Sequence, residues 1–185
     1  MNITVIGSIN MDLVTTSPRF PKVGETLLGS GFQQFMGGKG ANQAVAAARL
    51  GAKVQLIGAV GDDDFGRRLL KGLQQEGVNT DGVAVVPLIS SGLANITVAE
   101  GDNHIIVISG ANFSVSAESV RLQEARIAEA DVVMAQLETP LDAVIEAARL
   151  AKQHGKPFIL NPAPAQTLPK ELLELVDVLT PNAYE

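Results

Sequence analysis

Short apolar runs separated by helical patterns are the feature that most constrains the fold of this 185-residue chain. The runs are residues 3–7, 54–60, 132–135, 158–160 and 176–179. Each has the form expected of a strand that is buried on both faces. The helices between them require crossover connections, and right-handed crossovers build an open sheet with helices on both faces. The sequence therefore predicts an α/β fold with a mainly parallel, doubly wound sheet.

Two helical patterns end at glycines. Residues 41–50 precede Gly51, and residues 64–76 precede Gly77. A glycine adopts the left-handed conformation without a Cβ penalty, so it commonly ends a helix.

A third helix is predicted to begin at Thr139 and Pro140. Thr139 offers a capping hydroxyl, Pro140 suits the first helical position, and Asp142 places a carboxylate at the third. We expect this helix to run to His154, just before Gly155.

Two segments interrupt the alternation of strands and helices. Residues 26–36 alternate roughly between polar and apolar, and residues 95–99 and 104–109 have the form of two strands joined by Gly101, Asp102 and Asn103. A hairpin placed between such units usually forms an added flap. We expect one domain over residues 1–185, with a small β lid from segments near residues 24–36 and 93–109.

Composition and charge exclude several kinds of partner. The net charge is −6 and Lys and Arg are scattered along the chain, with only Arg67 and Arg68 adjacent, so the basic stripe of a nucleic-acid-binding protein is missing. The chain has no cysteine, which excludes thiolate metal sites and disulfides and suits a reducing compartment. The N-terminus has no basic region and reaches Asn10 and Asp12 before an apolar run attains signal-peptide or membrane length. We expect a cytoplasmic protein with no membrane partner.

Polar residues follow several of the predicted strands. In open α/β sheets, ligands bind beyond the carboxyl ends of the strands, which is where Asn10, Asp12 and Glu138 fall. A carboxylate accepts hydrogen bonds from two hydroxyls and an amide both donates and accepts, so this set suits a polyol. The alternatives are a simple turn at Asn10 and Asp12, and for Glu138 an acid favoured by the helix dipole.

A glycine-rich segment, residues 37–42, directly precedes the first predicted helix. Its glycines allow close approach to a ligand, and we expect free N–H groups at the helix start. A phosphate-binding P-loop needs Ser or Thr after the lysine, but Gly40 follows Lys39. A Walker-type nucleotide site is therefore not predicted, and an ordinary glycine-rich turn is the alternative.

Several motifs together resemble the ribokinase-type members of the PfkB sugar-kinase family. The resemblance runs from residue 1 to residue 185 without a gap. The block at residues 37–44 and the Asn-Pro-Ala-Pro-Ala block downstream are its most specific parts. The motifs are Ile-Asn-Met-Asp at 9–12, Gly-Gly-Lys-Gly-Ala-Asn-Gln-Ala at 37–44, Gly-Asp-Asp at 61–63, Gly-Ala-Asn at 110–112, Asn-Pro-Ala-Pro-Ala at 161–165 and Thr-Pro-Asn at 180–182.

The resemblance implies an ATP-dependent kinase that phosphorylates the primary hydroxyl of a pentose, with D-ribose the expected substrate. It implies a nucleotide-phosphate contact at Asn182, a water-mediated magnesium contact at Glu185, a monovalent cation such as K⁺ held elsewhere, and a homodimer through the lid. The implied substrate-binding residues are Asn10, Met11, Asp12, Gly38, Lys39, Gly40, Ala41, Asn42 and Glu138.

The chain also departs from the family pattern. The family's Gly-Ala-Gly-Asp segment, which carries the catalytic Asp, lies beyond the position of Glu185, and we find no replacement in residues 1–185. No catalytic residue is therefore predicted in this chain, and we expect residues 1–185 to be inactive alone, with the C-terminal part of the family fold missing. Met11 stands where a small residue is common, and Asn95 places an amide on a lid strand.

Three other functions remain open from the sequence. One is a non-catalytic module that binds a sugar or nucleoside, and another is a PfkB-type kinase for a different furanose or nucleoside. The third, a dinucleotide-binding domain, lacks support because no Gly-x-Gly-x-x-Gly follows the first strand.

Overall fold

Ten strands form two sheets in the structure, a computed structural model that describes residues 1–185. They are β1 (Asn2–Ile6), β2 (Asn10–Thr16), β3 (Gly31–Gly37), β4 (Lys53–Gly61), β5 (Val78–Val86), β6 (Gly92–Ala99), β7 (Asp102–Ile108), β8 (Val132–Ala135), β9 (Phe158–Leu160) and β10 (Val178–Leu179). The larger sheet has the order β10-β9-β8-β1-β4-β5, and all its pairings are parallel. The smaller sheet has the order β3-β2-β6-β7.

Helices cover both faces of the larger sheet. They are α1 (Lys39–Arg49), α2 (Asp64–Gln75), α3 (Ala117–Arg121), α4 (Glu124–Ala128), α5 (Leu141–Gln153) and α6 (Lys170–Leu173), with a 3₁₀ helix at Gly110–Ser114. One buried cluster joins α1 and α2 to the sheet, and a second joins α3 to α6 to the opposite face. The predicted α/β, doubly wound fold is confirmed.

The predicted strands of the larger sheet are present, with one difference in length and one omission. The run at 176–179 forms a strand only over Val178–Leu179, and β5 was not predicted at all. β5 pairs with β4 alone and is therefore an edge strand, so it carries Asn79, Asp81 and Gly82 among its apolar residues. Because these three residues interrupt the apolar ones in β5, the pattern of apolar runs did not predict this strand.

The smaller sheet is built largely from the segments predicted as a lid, and we refer to it as the lid. β3, β6 and β7 fall in or near the segments predicted for it, but β2 was not expected there. The interpretation of Asn10 and Asp12 as a turn is wrong, because both lie in β2, which pairs antiparallel with β3 and parallel with β6. The β6–β7 turn is also shorter than predicted: Glu100 and Gly101 form it with positive φ angles, and Asp102 already belongs to β7.

The predicted helix ends are confirmed, but one predicted start is wrong. Gly51, Gly77 and Gly155 have φ angles of 90°, 82° and 64° after α1, α2 and α5. Thr139 does not cap α5, however, because Pro140 is itself the N-cap residue and no side chain caps this end. The Thr139 hydroxyl is instead buried without a hydrogen-bond partner. None of the helices has the length and apolar character needed to span a membrane.

Candidate functional site

The Glu138 carboxylate is held where three segments meet. Its Oε2 atom accepts a hydrogen bond from Ser8 Oγ at 2.5 Å and one from the backbone N–H of Lys39 at 3.0 Å. Glu138 follows β8, Ser8 follows β1, and Lys39 is the first residue of α1. Because one oxygen takes both bonds, Oε1 remains available to a ligand.

The start of α1 packs tightly against the chain that follows β1. Gly38 has a φ angle of 89°, and a Cβ at Gly40 would lie 2.5 Å from the carbonyl carbon of Gly7. The glycines therefore permit an approach that a side chain would prevent.

The expectation of free N–H groups at this helix start is wrong. The N–H of Lys39 donates to Glu138, that of Gly40 to Ser8 Oγ at 3.3 Å, and that of Ala41 to the Ser8 carbonyl at 2.9 Å. The donors are satisfied inside the chain, so this helix start does not offer the cradle of a phosphate loop.

Asp12 lies on the lid face that looks toward Glu138. In the register of the lid, Asp12 is opposite Ala94, which is opposite Val107, so these residues share one face. Val107 in turn lines a cavity together with Glu138. Burial, and then the neighbouring Glu138 carboxylate, raise the pKa of Asp12. The site thus contains two carboxylates that repel one another.

The cavity beside Glu138 has a volume of about 340 Å³ and lies between the lid and the carboxyl edge of the larger sheet. Its lining residues are Val107, Ser109, Phe113, Leu137, Glu138 and Pro164. Its walls are largely apolar and a single carboxylate faces it from the sheet, which is the usual arrangement of a small-molecule site.

Asn10 is held by a residue that sequence reasoning did not assign. Asn112, in the 3₁₀ helix, donates from Nδ2 to Asn10 Oδ1 at 2.7 Å and accepts from the backbone N–H of Ile9 at 2.9 Å. Ser8 was likewise missed as the residue that holds Glu138. Both residues act through contacts with residues far away in the sequence, 130 positions for Ser8 and 103 for Asn112. The sequence therefore contained no sign of Ser8, and its only sign of Asn112 was the Gly-Ala-Asn motif.

The other proposed sugar residues are distributed more widely. Lys39 has no side-chain hydrogen bond or ion pair within the chain, and Ala41 is buried. Asn42 is exposed and lines a different groove of about 250 Å³ with Met36 and Val45. The Met11 side chain packs in the core cluster on the α1–α2 side, because it lies on the face of β2 opposite Asn10 and Asp12.

The residues after β10 form a small local turn. The Asn182 backbone N–H and Nδ2 donate to the Glu185 carboxylate at 3.0 and 2.9 Å. Asn161, after β9, donates to the Thr180 carbonyl at 2.9 Å, which ties the ends of the two strands together. The polar segments after β9 and β10 therefore reach the same edge of the sheet as Glu138.

This arrangement suits a neutral, polyhydroxylated ligand. Asp12 and Glu138 offer acceptors, while Asn10 and Lys39 offer donors. No group of three or more His, Cys, Asp or Glu side chains is placed to bind a metal ion directly. A ligand with several hydroxyls satisfies such a mixed set, because each hydroxyl both donates and accepts.

Known proteins are similar to this chain in sequence and in fold. The family described as pfkB family carbohydrate kinase matches residues 1–185. Ribokinase from Haemophilus influenzae is 50% identical over 184 residues, covering 99% of this chain and 60% of that protein. Ribokinase from Bacillus subtilis is 48% identical over 184 residues, covering 100% of this chain and 63% of that protein. The chain thus spans about 60% of the length of these relatives.

Solved structures extend the similarity to three dimensions. Arabidopsis thaliana ribokinase, complexed with ribose and ATP, superposes with a TM-score of 0.90 at 34% identity. The match covers 97% of this chain and 59% of that chain.

Proposed function

Because the chain belongs to the pfkB family of carbohydrate kinases, we propose that it carries the sugar site of an ATP-dependent ribokinase. The reaction would join the primary hydroxyl oxygen of D-ribose to the γ-phosphorus of ATP, break the bond to ADP, and pass the hydroxyl proton to a base. Phosphoryl transfer depends mainly on positioning and on charge stabilisation. The residues of this chain would supply the positioning of the sugar.

The observation that carries the proposal is the proximity of the Asp12 carboxylate, on the lid, to Glu138, which lines the cavity below the lid. Burial and Glu138 raise the pKa of Asp12, so two acidic groups are kept close without a cationic side chain paired to either. Such an arrangement is unfavourable unless a ligand with several O–H donors uses it. The complex of ribose and ATP with the A. thaliana relative supports a sugar as that ligand.

We also propose the cofactors and the assembly that this function requires. Asn182 would contact a phosphate of ATP, and Glu185 would hold Mg²⁺ through water; both lie in the turn that follows β10 at the ligand edge. A monovalent cation such as K⁺ is proposed by family resemblance alone. A homodimer through the lid is supported by β7, which is exposed along its whole length and contains four consecutive apolar residues, 105–108.

Residues 1–185 would bind ribose without phosphorylating it, since we place no catalytic base among them. The test measures ribose binding by calorimetry and ribose 5-phosphate formation with ATP and Mg²⁺. It uses residues 1–185 and a protein that also carries the Gly-Ala-Gly-Asp segment. We expect binding by both and turnover by the second only.

Each of the other results has a definite meaning. Failure of both proteins to bind ribose would contradict the sugar site. Binding by both without turnover would favour a non-catalytic binding module. Stronger binding of another furanose or of a nucleoside would reassign the substrate.

A further inference from the structure

Asn112 belongs to the Gly-Ala-Asn motif at residues 110–112, for which the reaction described above needs no role. Asn112 is only 1% exposed and lies in the 3₁₀ helix that follows the lid strand β7. It makes three hydrogen bonds, two with the backbone of Ile9 and one with the Asn10 side chain. A buried amide that is hydrogen-bonded beside a proposed ligand contact has the form of a positioning group.

The backbone of Ile9 fixes which way the Asn112 amide points. The N–H of Ile9 can only donate, so the atom 2.9 Å from it must be the acceptor Oδ1. The Ile9 carbonyl can only accept, and it lies 3.3 Å from Nδ2. The two backbone groups therefore exclude the flipped amide.

The orientation of Asn112 then determines that of Asn10. Nδ2 of Asn112 is a donor, so the Asn10 atom 2.7 Å away must be its acceptor, Oδ1. The Nδ2 atom of Asn10 makes no hydrogen bond within the chain, and although Asn10 is only 4% exposed, this atom is not one of the fully enclosed unpaired atoms. The group that Asn10 can offer to a ligand is therefore a donor.

The lid leaves room for this pair of amides at one position. Gly92, the first residue of β6, is opposite Asn10 in the lid register. A Cβ at Gly92 would overlap both Asn10 Oδ1 and Asn112 Nδ2. The absence of a side chain there allows the two amides to meet beneath the lid.

We propose that Asn112 is a positioning residue that holds Asn10 as a hydrogen-bond donor to one sugar oxygen. Asp12 and Glu138 can only accept hydrogen bonds when they are ionised, so Asn10 adds a hydrogen-bond donor to a site whose carboxylates are acceptors. The sugar oxygen at Asn10 must then accept, which distinguishes it from the hydroxyls that donate to the carboxylates. This inference rests on the proposed sugar-binding function.

The main test is Asn112→Asp, followed by ribose calorimetry at several pH values. An ionised Asp cannot donate to Asn10, so Asn10 would turn its oxygen toward the sugar, and we expect ribose affinity to fall about 10- to 100-fold at pH 7. A protonated Asp has one O–H that can donate to Asn10 and one carbonyl oxygen that can accept from the Ile9 N–H, so it restores the bond that orients Asn10 and loses only the weaker one to the Ile9 carbonyl. The affinity ratio between wild type and variant should therefore shrink as the pH falls.

A double-mutant cycle separates positioning from general destabilisation. In an Asn10→Ala background, Asn112→Asp should reduce ribose affinity by less than about twofold, because the group it orients is gone. Thr80→Val removes another buried, hydrogen-bonded side chain, on the distant edge strand β5, and should leave ribose affinity unchanged. Equal losses with and without Asn10, or a ratio that does not change with pH, would overturn the proposal.

A second variant keeps the proposal testable if Asn112→Asp does not fold. Asn10→Asp retains an acceptor for Asn112 but offers the sugar only lone pairs, so it should bind ribose no better than Asn10→Ala. Binding at the wild-type level would overturn the proposed donor role. If the wild-type protein does not bind ribose, the proposed function is wrong. If the wild-type protein binds ribose and the variants bind it equally well, only the proposed role of Asn112 is wrong.

Discussion

At the scale of single residues, the ionised Asp12 carboxylate is expected to lower the stability of the fold while it contributes to ligand binding. Burial and the neighbouring Glu138 raise its pKa, so the folded protein disfavours the charged form that a sugar hydroxyl needs. A raised folded-state pKa contributes stability below the unfolded-state pKa, and this contribution is lost as the pH rises through the folded-state value. At neutral pH the ionised carboxylate therefore costs stability.

Asp12→Asn should weaken ribose binding while leaving the fold as stable or more stable at pH 7. Loss of the charged acceptor costs about 1.5–3 kcal/mol of binding, or roughly 10- to 100-fold in affinity. The melting temperature relative to wild type should rise between acid and neutral pH, as the wild-type carboxyl ionises. Calorimetry and thermal melting measure the two effects, with Asp81→Asn on β5 as control. A variant that binds ribose normally would remove Asp12 from the site.

The Lys39 side chain should contribute to sugar binding and not to nucleotide binding. The N–H groups at the start of α1 are bonded to Glu138 and Ser8, so this segment lacks the geometry of a phosphate loop. Lys39→Met keeps the backbone bond to Glu138 and should lower ribose affinity several-fold, with ATP affinity changing by less than about threefold. Titrations with each ligand decide the matter. A large loss of ATP binding with intact ribose binding would identify a phosphate-binding lysine instead.

At the scale of secondary-structure elements, Asp63 connects the start of α2 to the base of the lid. Its Oδ1 accepts from the Gly66 N–H at 2.7 Å and from Ser91 Oγ at 2.7 Å, and its Oδ2 accepts from the Ser91 N–H at 2.8 Å. Ser91 directly precedes β6, whose first residue pairs with Asn10. A helix cap and a lid strand thus share one carboxylate.

Asp63→Asn should destabilise the protein by about 1–3 kcal/mol, although Asn is a good N-cap residue, because its NH₂ group would face the Ser91 N–H. Burial alone would raise the pKa of Asp63, but hydrogen bonds from Ser91 and Gly66 hold it below its ordinary value. Its contribution is therefore present above the unfolded-state pKa and disappears as the pH falls through the lower folded-state value. Denaturant unfolding at pH 7 and in acid tests this.

The control is Asp64→Asn in the same turn, where the side chain is exposed and bonds only Arg67. We expect it to change stability by less than about 0.5 kcal/mol. Equal effects of the two variants would show that the shared carboxylate has no special role.

The same elements show how far the sequence could predict the fold. β1, β4, β8 and β9 are apolar runs buried inside the larger sheet, so they were recognisable. β2 was not, because its polar residues Asn10 and Asp12 face the site and resemble a turn. The start of α5 was misjudged because Thr139 fits a capping pattern whose geometry depends on the preceding loop.

The candidate site was predictable to a similar extent. Asp12 and Glu138 were found because charged residues after apolar strands are conspicuous. Ser8 and Asn112 were not, because their importance lies in hydrogen bonds to residues that are distant in sequence. A single sequence gives no direct sign of such pairings.

At the scale of the whole molecule, two apolar surfaces are left open to solvent. One is the lid strand β7, where Ile106 is 66% exposed. The other surrounds the edge strand β10, where Val178 and Leu179 are 46% and 42% exposed beside Leu173. Because β10 pairs only with β9, its other edge has backbone groups available to another strand.

These surfaces should make residues 1–185 self-associate by two separable routes. We expect Ile106→Lys to reduce a discrete dimer formed through the lid, and Val178→Lys to reduce larger aggregates formed through β10, because a charge opposes edge-to-edge pairing. Gln75→Lys adds the same charge at an exposed position on α2 and should change neither. Sedimentation velocity at micromolar concentrations distinguishes the two species. A wild-type chain that sediments as one monomeric species and melts cooperatively would show that neither surface needs a partner, and would contradict the proposed lid dimer as well.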